Sequence, residues 1–201
     1  MKTRKLKCLI LLFASIYSGN VISEENRIAE DKFASVRDKL QTCFTCHGEN
    51  GASTQPTYPI LAGQEFYYLY VQLKDFKSGL RENAIMSPLV AIIEKQDLRL
   101  MAEYFGEQKW LGTDFTASPE QISAGKKVVD AGQCVACHLG AFNGNSRNPR
   151  LAGQHFEYLN KTMLDFKNKQ RNNAQPMNAL FGTFSDDEIK AVSKYLAGFK
   201  D

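Results

Sequence analysis

Apolar residues recur at helical spacing along the whole chain, in two matching sets. In the first, Phe33, Val36 and Leu40 fall one turn apart; Phe66, Leu69, Tyr70, Leu73 and Phe76 form a longer stripe; Leu98, Met101, Ala102 and Phe105 form a third. In the second, Ile122 to Val129 is followed by Phe156, Leu159, Met163 and Phe166, and then by Ile189, Val192 and Leu196. A 3.6-residue period with polar residues between predicts amphipathic helices sharing a core. Ser118-Pro119-Glu120-Gln121 and Ser185-Asp186-Asp187-Glu188 are helix starts, each with a capping Ser three residues before Gln or Glu. No alternating apolar and polar run of strand length occurs, so the expected fold class is all-α.

The first apolar run is of another kind. Cys8 to Tyr17 is apolar and short, follows Lys2, Arg4, Lys5 and Lys7, and leads to Val21 and Ser23 at the −3 and −1 positions of a cleavage site. Basic, apolar and small-residue regions in that order describe a secretory signal peptide over residues 1–23, with an uncleaved anchor as the alternative. Lys5, Leu6 and Lys7 before Cys8 do not make a lipoprotein box. No apolar run reaches the roughly 20 residues of a membrane-spanning helix.

Export changes the charge and cysteine accounting. The chain has 201 residues, 25 Lys+Arg, 22 Asp+Glu and five cysteines. Cleavage after Ser23 leaves 178 residues, a net charge of −1 and four cysteines. A basic nucleic-acid-binding surface is not indicated. Four thiols in an oxidising compartment are expected to be paired, bound to metal or chemically consumed.

The four cysteines lie in an internal repeat. Cys43-Phe44-Thr45-Cys46-His47 recurs as Cys134-Val135-Ala136-Cys137-His138. Pro59-Ile60-Leu61-Ala62-Gly63-Gln64 recurs as Pro149-Arg150-Leu151-Ala152-Gly153-Gln154. Arg81, Asn83, Ala84 and Met86 answer Arg171, Asn173, Ala174 and Met177, and Tyr104 answers Tyr195. The offset moves from 91 to 90 and back, so two compensating length changes align the halves. The Gly, Thr, Asp, Ser and Pro residues between Leu111 and Pro119 mark a boundary. The expected domains are 24–112 and 113–201.

Cys-x-x-Cys-His is the attachment motif of c-type haem. Two thiols on one turn can bond the two vinyl groups of a porphyrin edge, and the next residue offers its imidazole to the iron. A thioredoxin-like redox pair would need a βαβ setting. A shared four-cysteine zinc site would need the two pairs to meet and would leave both adjacent histidines without a role. Two haem c groups account for Cys43, Cys46, Cys134, Cys137, His47 and His138 together.

Each iron then needs a sixth ligand. His47 to Met86 and His138 to Met177 are both separations of 39 residues. Met101 aligns with Val192 and Met163 with Leu73, so only Met86 and Met177 are paired across the repeat. A Met thioether opposite His raises the reduction potential. Both methionines are expected in loops, beside Ser87-Pro88 and after Pro176. The remaining histidine, His155, aligns with Glu65 and is expected at an exposed helix start. Pro59 and Pro149 follow their histidines by 12 and 11 residues. Their carbonyls are candidate acceptors for the second ring N–H of a metal-bound His; a plain turn proline is the alternative. Gly63 and Gly153 suit close backbone approach. Arg81 and Arg171 have two readings, partners of haem propionates or solvated surface arginines. About 89 residues per half make a modest core, so the haem is expected to complete it and the apoprotein to fold poorly.

On these motifs the chain resembles the dihaem cytochrome c4 family, a duplicated class I cytochrome c of the bacterial periplasm. Asn83-Ala84-Ile85-Met86-Ser87-Pro88 is similar to the family's first Met loop, whereas Gln175-Pro176-Met177-Asn178 departs from it. The resemblance implies two tandem cytochrome c-like domains joined by a short linker. Each is a small helical bundle around a covalently bound haem, and the haems face each other across the domain interface. It implies single-electron transfer in a respiratory chain between a donor and a terminal oxidase or other acceptor, by a soluble or loosely membrane-associated protein. An electron carrier, not an enzyme, follows from two protein ligands on each iron. The alternatives are the electron-accepting subunit of a periplasmic oxidoreductase, or a haem enzyme or gas sensor with a labile Met. Residues 24–112 carry 10 Lys+Arg and 13 Asp+Glu, and residues 113–201 carry 11 and 9. This asymmetry can orient a redox partner; scatter in small counts gives the same figures.

Overall fold

The computed structural model describes residues 31–200. The proposed signal segment and Cys8 lie outside the described residues, as does the start of the first domain. Every element of regular structure among the described residues is helical, apart from an isolated bridge between Asn145 and Asn148. The first half holds a 3-10 turn, Ala34–Val36, then α1 (Arg37–His47), a second 3-10 turn (Glu49–Gly51), α2 (Phe66–Ser78), α3 (Met86–Ala91) and α4 (Lys95–Gly106). The second half holds α5 (Pro119–Ala131), α6 (Val135–His138), α7 (Phe156–Lys167), α8 (Gln175–Phe181) and α9 (Asp186–Ala197).

The apolar stripes explain the packing. α2 lies against α3 and α4, and Val36, Leu40, Leu69, Met101, Ala102 and Phe105 close one core. In the second half α9 lies against α5 and α7, and Val128, Leu159, Met163, Phe166, Ile189, Val192 and Leu196 close the other. α5 and α9 both begin with a full capping box, Ser118 with Gln121 and Ser185 with Glu188, each of which satisfies two backbone donors the helix leaves free. Pro119 at the first turn of α5 forfeits no helical bond.

Two local features depart from the sequence expectation. Met86 and Met177 are not in loops: Met86 opens α3 and Met177 lies in the first turn of α8. Pro88 and Pro176, which suggested loops, sit within those first turns, where a missing N–H costs no intrahelical bond. Asn83 Oδ1 accepts from the Ile85 and Met86 amides at 2.9 Å and starts α3. The cysteine segments also differ. α1 runs unbroken from Arg37 through His47, whereas Gly132 and Gln133, the latter at φ 49°, divide α5 from α6.

From Asp31 onward the two halves form one compact body, joined by a reciprocal contact between the Leu-Ala-Gly-Gln segments. Gln154 accepts from Ile60 N at 2.9 Å and donates to Ile60 O at 3.0 Å. Gln64 accepts from Arg150 N at 2.7 Å and donates to Arg150 O at 2.9 Å. Ile60 and Arg150 are repeat partners, as are Gln64 and Gln154, so the contact is pseudo-twofold. A backbone N–H only donates and a C=O only accepts, which fixes the orientation of both side-chain amides. His155 corrects a second expectation. It starts α7, but it is 8% exposed, and its Nε2 lies 2.9 Å from Ser53 O of the other half. Its burial comes from the opposite half, which no local pattern encodes.

α5 and α9 meet at Gly125, where an added Cβ would fall 2.3 Å from Tyr195 Cβ and 2.7 Å from Ala191 O. Gly125→Ala is expected to force the helices apart and cost about 1–3 kcal/mol, the usual range for overpacking. Gly140→Ala, with open space around it, is expected to be close to neutral. Urea midpoints of the two variants measure the difference.

Candidate haem sites

His47 ends α1 and His138 ends α6, each with its two cysteines on the turn before it. Both rings are buried, at 6% and 9% exposure. His47 Nδ1 lies 2.9 Å from Pro59 O, and His138 Nδ1 lies 2.9 Å from Pro149 O. A carbonyl can only accept, so each Nδ1 carries the proton and each Nε2 keeps its lone pair free for a metal. Burial lowers the pKa of both histidines, opposed by the bond to the proline carbonyl. The neutral ring, the form that binds metal, is thereby favoured.

The four cysteines among the described residues are free; Cys137 is exposed and the others are partly buried. Burial pushes the Cys43 thiol up to about 11 and raises that of Cys134. A redox dithiol needs the opposite shift. Among the described residues no group of three or more His, Cys, Asp or Glu could hold a metal ion, so the two cysteine pairs do not meet in a shared zinc site.

In the second half, Cys134, Cys137, His138 and Met177 line one cleft, with Leu151, Met163, Leu180, Phe181, Val192 and Leu196 as its apolar walls. In the first half, Cys43 packs with the Val36–Leu40–Leu69 core, and Met86 with Phe76, Val90 and Leu98. Tyr70, Leu73 and Ile93 touch both clusters. The residues fit a haem: free thiols on one turn, an imidazole with its outer nitrogen fixed, a thioether and an apolar lining. Met101 is 1% exposed in the first core. Met163 lines the second cleft, and its sulfur accepts from Ser193 Oγ at 3.3 Å.

Arg81 and Arg171 are at the boundary between the halves, with Arg171 6% exposed. Arg81 Nη2 reaches Tyr158 OH at 3.3 Å, and Arg171 Nη2 reaches Tyr68 OH at 3.3 Å. Both guanidinium groups also donate to Gln72 Oε1, at 2.9 and 2.8 Å. The solvated reading therefore fails for Arg171. Burial raises the pKa of the Tyr158 hydroxyl, but the two guanidinium charges, together with hydrogen bonds to Arg81 and Thr162, bring it below the usual tyrosine value. Gln72 carries no signal in the sequence, because its repeat partner is Thr162 and only the folded interface shows its role.

A family model of cytochrome c matches residues 122–200. Cytochrome c4 of Azotobacter vinelandii is 32% identical over 186 residues, covering 82% of this chain and 88% of the relative. The chain belongs to the cytochrome c4 family. The crystal structure of reduced recombinant cytochrome c4 from Pseudomonas stutzeri superposes with a TM-score of 0.75 at 32% identity, covering 83% of this chain and 97% of that one. The thiosulfate dehydrogenase electron acceptor of Stutzerimonas stutzeri (strain A1501) is 33% identical over 171 residues, covering 77% of each. As a member of the cytochrome c4 family the chain is an electron-transfer c-type cytochrome, all-α with two tandem cytochrome c domains, and its cofactors are two haem c groups.

If each cysteine pair serves its own haem, Cys134→Ala with Cys137→Ala is expected to halve the haem content. Pyridine haemochrome absorbance per polypeptide and the protein mass, lower by one haem, check this; loss of both haems would show that the pairs are not independent.

Proposed function

We propose that the protein is an exported, periplasmic electron carrier and not an enzyme. One haem is bonded to Cys43 and Cys46, with His47 and Met86 on its iron; the other is bonded to Cys134 and Cys137, with His138 and Met177. The domains are 24–112 and 113–201, after a signal segment of residues 1–23. The observation that carries this reading is the second cleft, where free thiols, a buried imidazole with Nδ1 committed, and a methionine line one apolar space.

Each bound haem supplies a one-electron centre. The chain's own residues hold its surroundings fixed through the change of charge. The proline carbonyls keep the imidazoles in one tautomer and orientation. The apolar walls exclude water, and the thioethers favour the ferrous state. With two protein ligands on each iron no position is open to a substrate, which suits transfer over bond making. Arg81 and Arg171 would hold the propionates, a reading supported by the way both guanidinium groups converge on the neutral Gln72 Oε1, where an anion would offset their mutual repulsion. Cys137 is exposed, as are Val135 at 46% and Leu139 at 38%, so a haem bonded there would present this edge to the surface, where a partner can approach.

The partners are redox proteins, a respiratory donor and a terminal oxidase or other acceptor. The resemblance to a thiosulfate dehydrogenase electron acceptor favours a second reading, in which the donor is a periplasmic oxidoreductase. No helix among the described residues is long and apolar enough to cross a membrane.

Met177→Ala is expected to remove about half of the weak far-red Met-to-iron band of the oxidised protein, and to let the reduced protein bind one carbon monoxide. The unaltered protein is expected to bind none. Rapid carbon monoxide binding without the substitution would favour an enzyme or a sensor over a carrier.

A further inference from the structure

The peptide groups that fix the two histidines are the same ones that join the halves. The Pro59–Ile60 peptide accepts from His47 Nδ1 through its C=O at 2.9 Å and donates through its N–H to Gln154 Oε1 at 2.9 Å. The Pro149–Arg150 peptide accepts from His138 Nδ1 at 2.9 Å and donates to Gln64 Oε1 at 2.7 Å. Gln154 belongs to the second half and Gln64 to the first. Both glutamines are buried, at 3% and 4% exposure. Each is clamped by its other bonds: Gln154 Nε2 donates to Ile60 O, and Gln64 Nε2 to Arg150 O. Each Oε1 also accepts from the next amide, His155 N at 3.0 Å and Glu65 N at 2.9 Å.

A peptide that donates through its N–H is polarised, and its C=O becomes a stronger acceptor. A stronger acceptor at Nδ1–H makes the imidazole more basic and a better donor to a metal at Nε2. We propose that Gln154 sets the donor strength of His47, and Gln64 that of His138, each through one peptide group of the opposite half. Both glutamines are positioning residues for a haem their own half does not hold. The iron ligands named here rest on the function proposed above. The relay itself is built from bonds within the chain. A better imidazole donor stabilises ferric iron, so loss of the glutamine oxygen raises the potential of the haem across the interface. The linkage is reciprocal: oxidation of one haem strengthens its His N–H as a donor and tightens the joint with the other half.

The test is a redox titration of the full holoprotein and its variants, followed by proton NMR of the two axial-methionine methyl groups. The loss of one methyl signal in Met177→Ala assigns the pair. Their absence from the unaltered protein would overturn the ligand assignment, separately from the relay. Gln154→Met, similar in length but without a hydrogen-bonding amide, is expected to raise the His47 haem potential by a severalfold shift of its equilibrium, tenfold being about 59 mV for one electron. The His138 haem is expected to stay in place, and Gln64→Met to do the converse. Gln154→Glu keeps an oxygen for the Ile60 N–H and is expected to hold the His47 haem at or below its unaltered potential. A folded Gln154→Met protein with both potentials unchanged, or with the shift at the His138 haem, overturns the proposal. If Gln154→Met does not fold, a raised His47 haem potential in Gln154→Glu overturns it.

Discussion

The hydrogen bond from a histidine ring nitrogen to a proline carbonyl organises each half of this molecule. It joins a buried ring to a half-buried carbonyl, at 2.9 Å in both halves, and it settles three things together. It fixes the tautomer, it aims Nε2 away from the backbone, and it anchors the loop that follows the cysteine turn. In the first half that loop is closed again by the Leu61 and Ala62 amides, both of which donate to Gly51 O. In the second half the Leu151 and Ala152 amides donate to Phe142 O. The same local circuit is thus built twice, although α1 is continuous and α5–α6 is divided.

Duplication also explains the joint between the halves. Gln64 and Gln154 can each bracket the other half's residue only because both halves present the same extended segment. A pair of identical surfaces meeting about a twofold axis is self-complementary, and a tandem repeat on one chain reproduces that arrangement within a monomer. The consequence is physical as well as geometric. Four hydrogen bonds, two of them buried and two half-buried, would be costly to break without replacement, so the halves are held in register by the segments that position the histidines.

Much of this was legible in the sequence, for identifiable reasons. The helices follow from apolar periodicity, which is local, and α5 and α9 were marked by their capping residues. The tandem fold and the haem cofactors follow from a repeat in which cysteine, histidine and methionine keep their spacing. What was not legible is tertiary. Pro88 and Pro176 suggest loops where no capping Ser precedes them, yet both sit in first turns, where proline is tolerated. His155 aligns with Glu65 and looked exposed, but the opposite half covers it and offers Ser53 O. Gln72 has no polar twin of its kind, so the repeat gave no reason to single it out. Gln64 and Gln154 were visible as part of a repeated segment, but their bonds cross the interface and no spacing along the chain reports them.

The central claim is that both irons are held between an imidazole nitrogen and a thioether sulfur. Iron-edge X-ray absorption of the oxidised protein, scaled to haem content, tests it most directly. The account predicts one sulfur scatterer for every iron in the purified protein. An average of half a sulfur, or none, would show that at least one methionine is not a ligand and would contradict it.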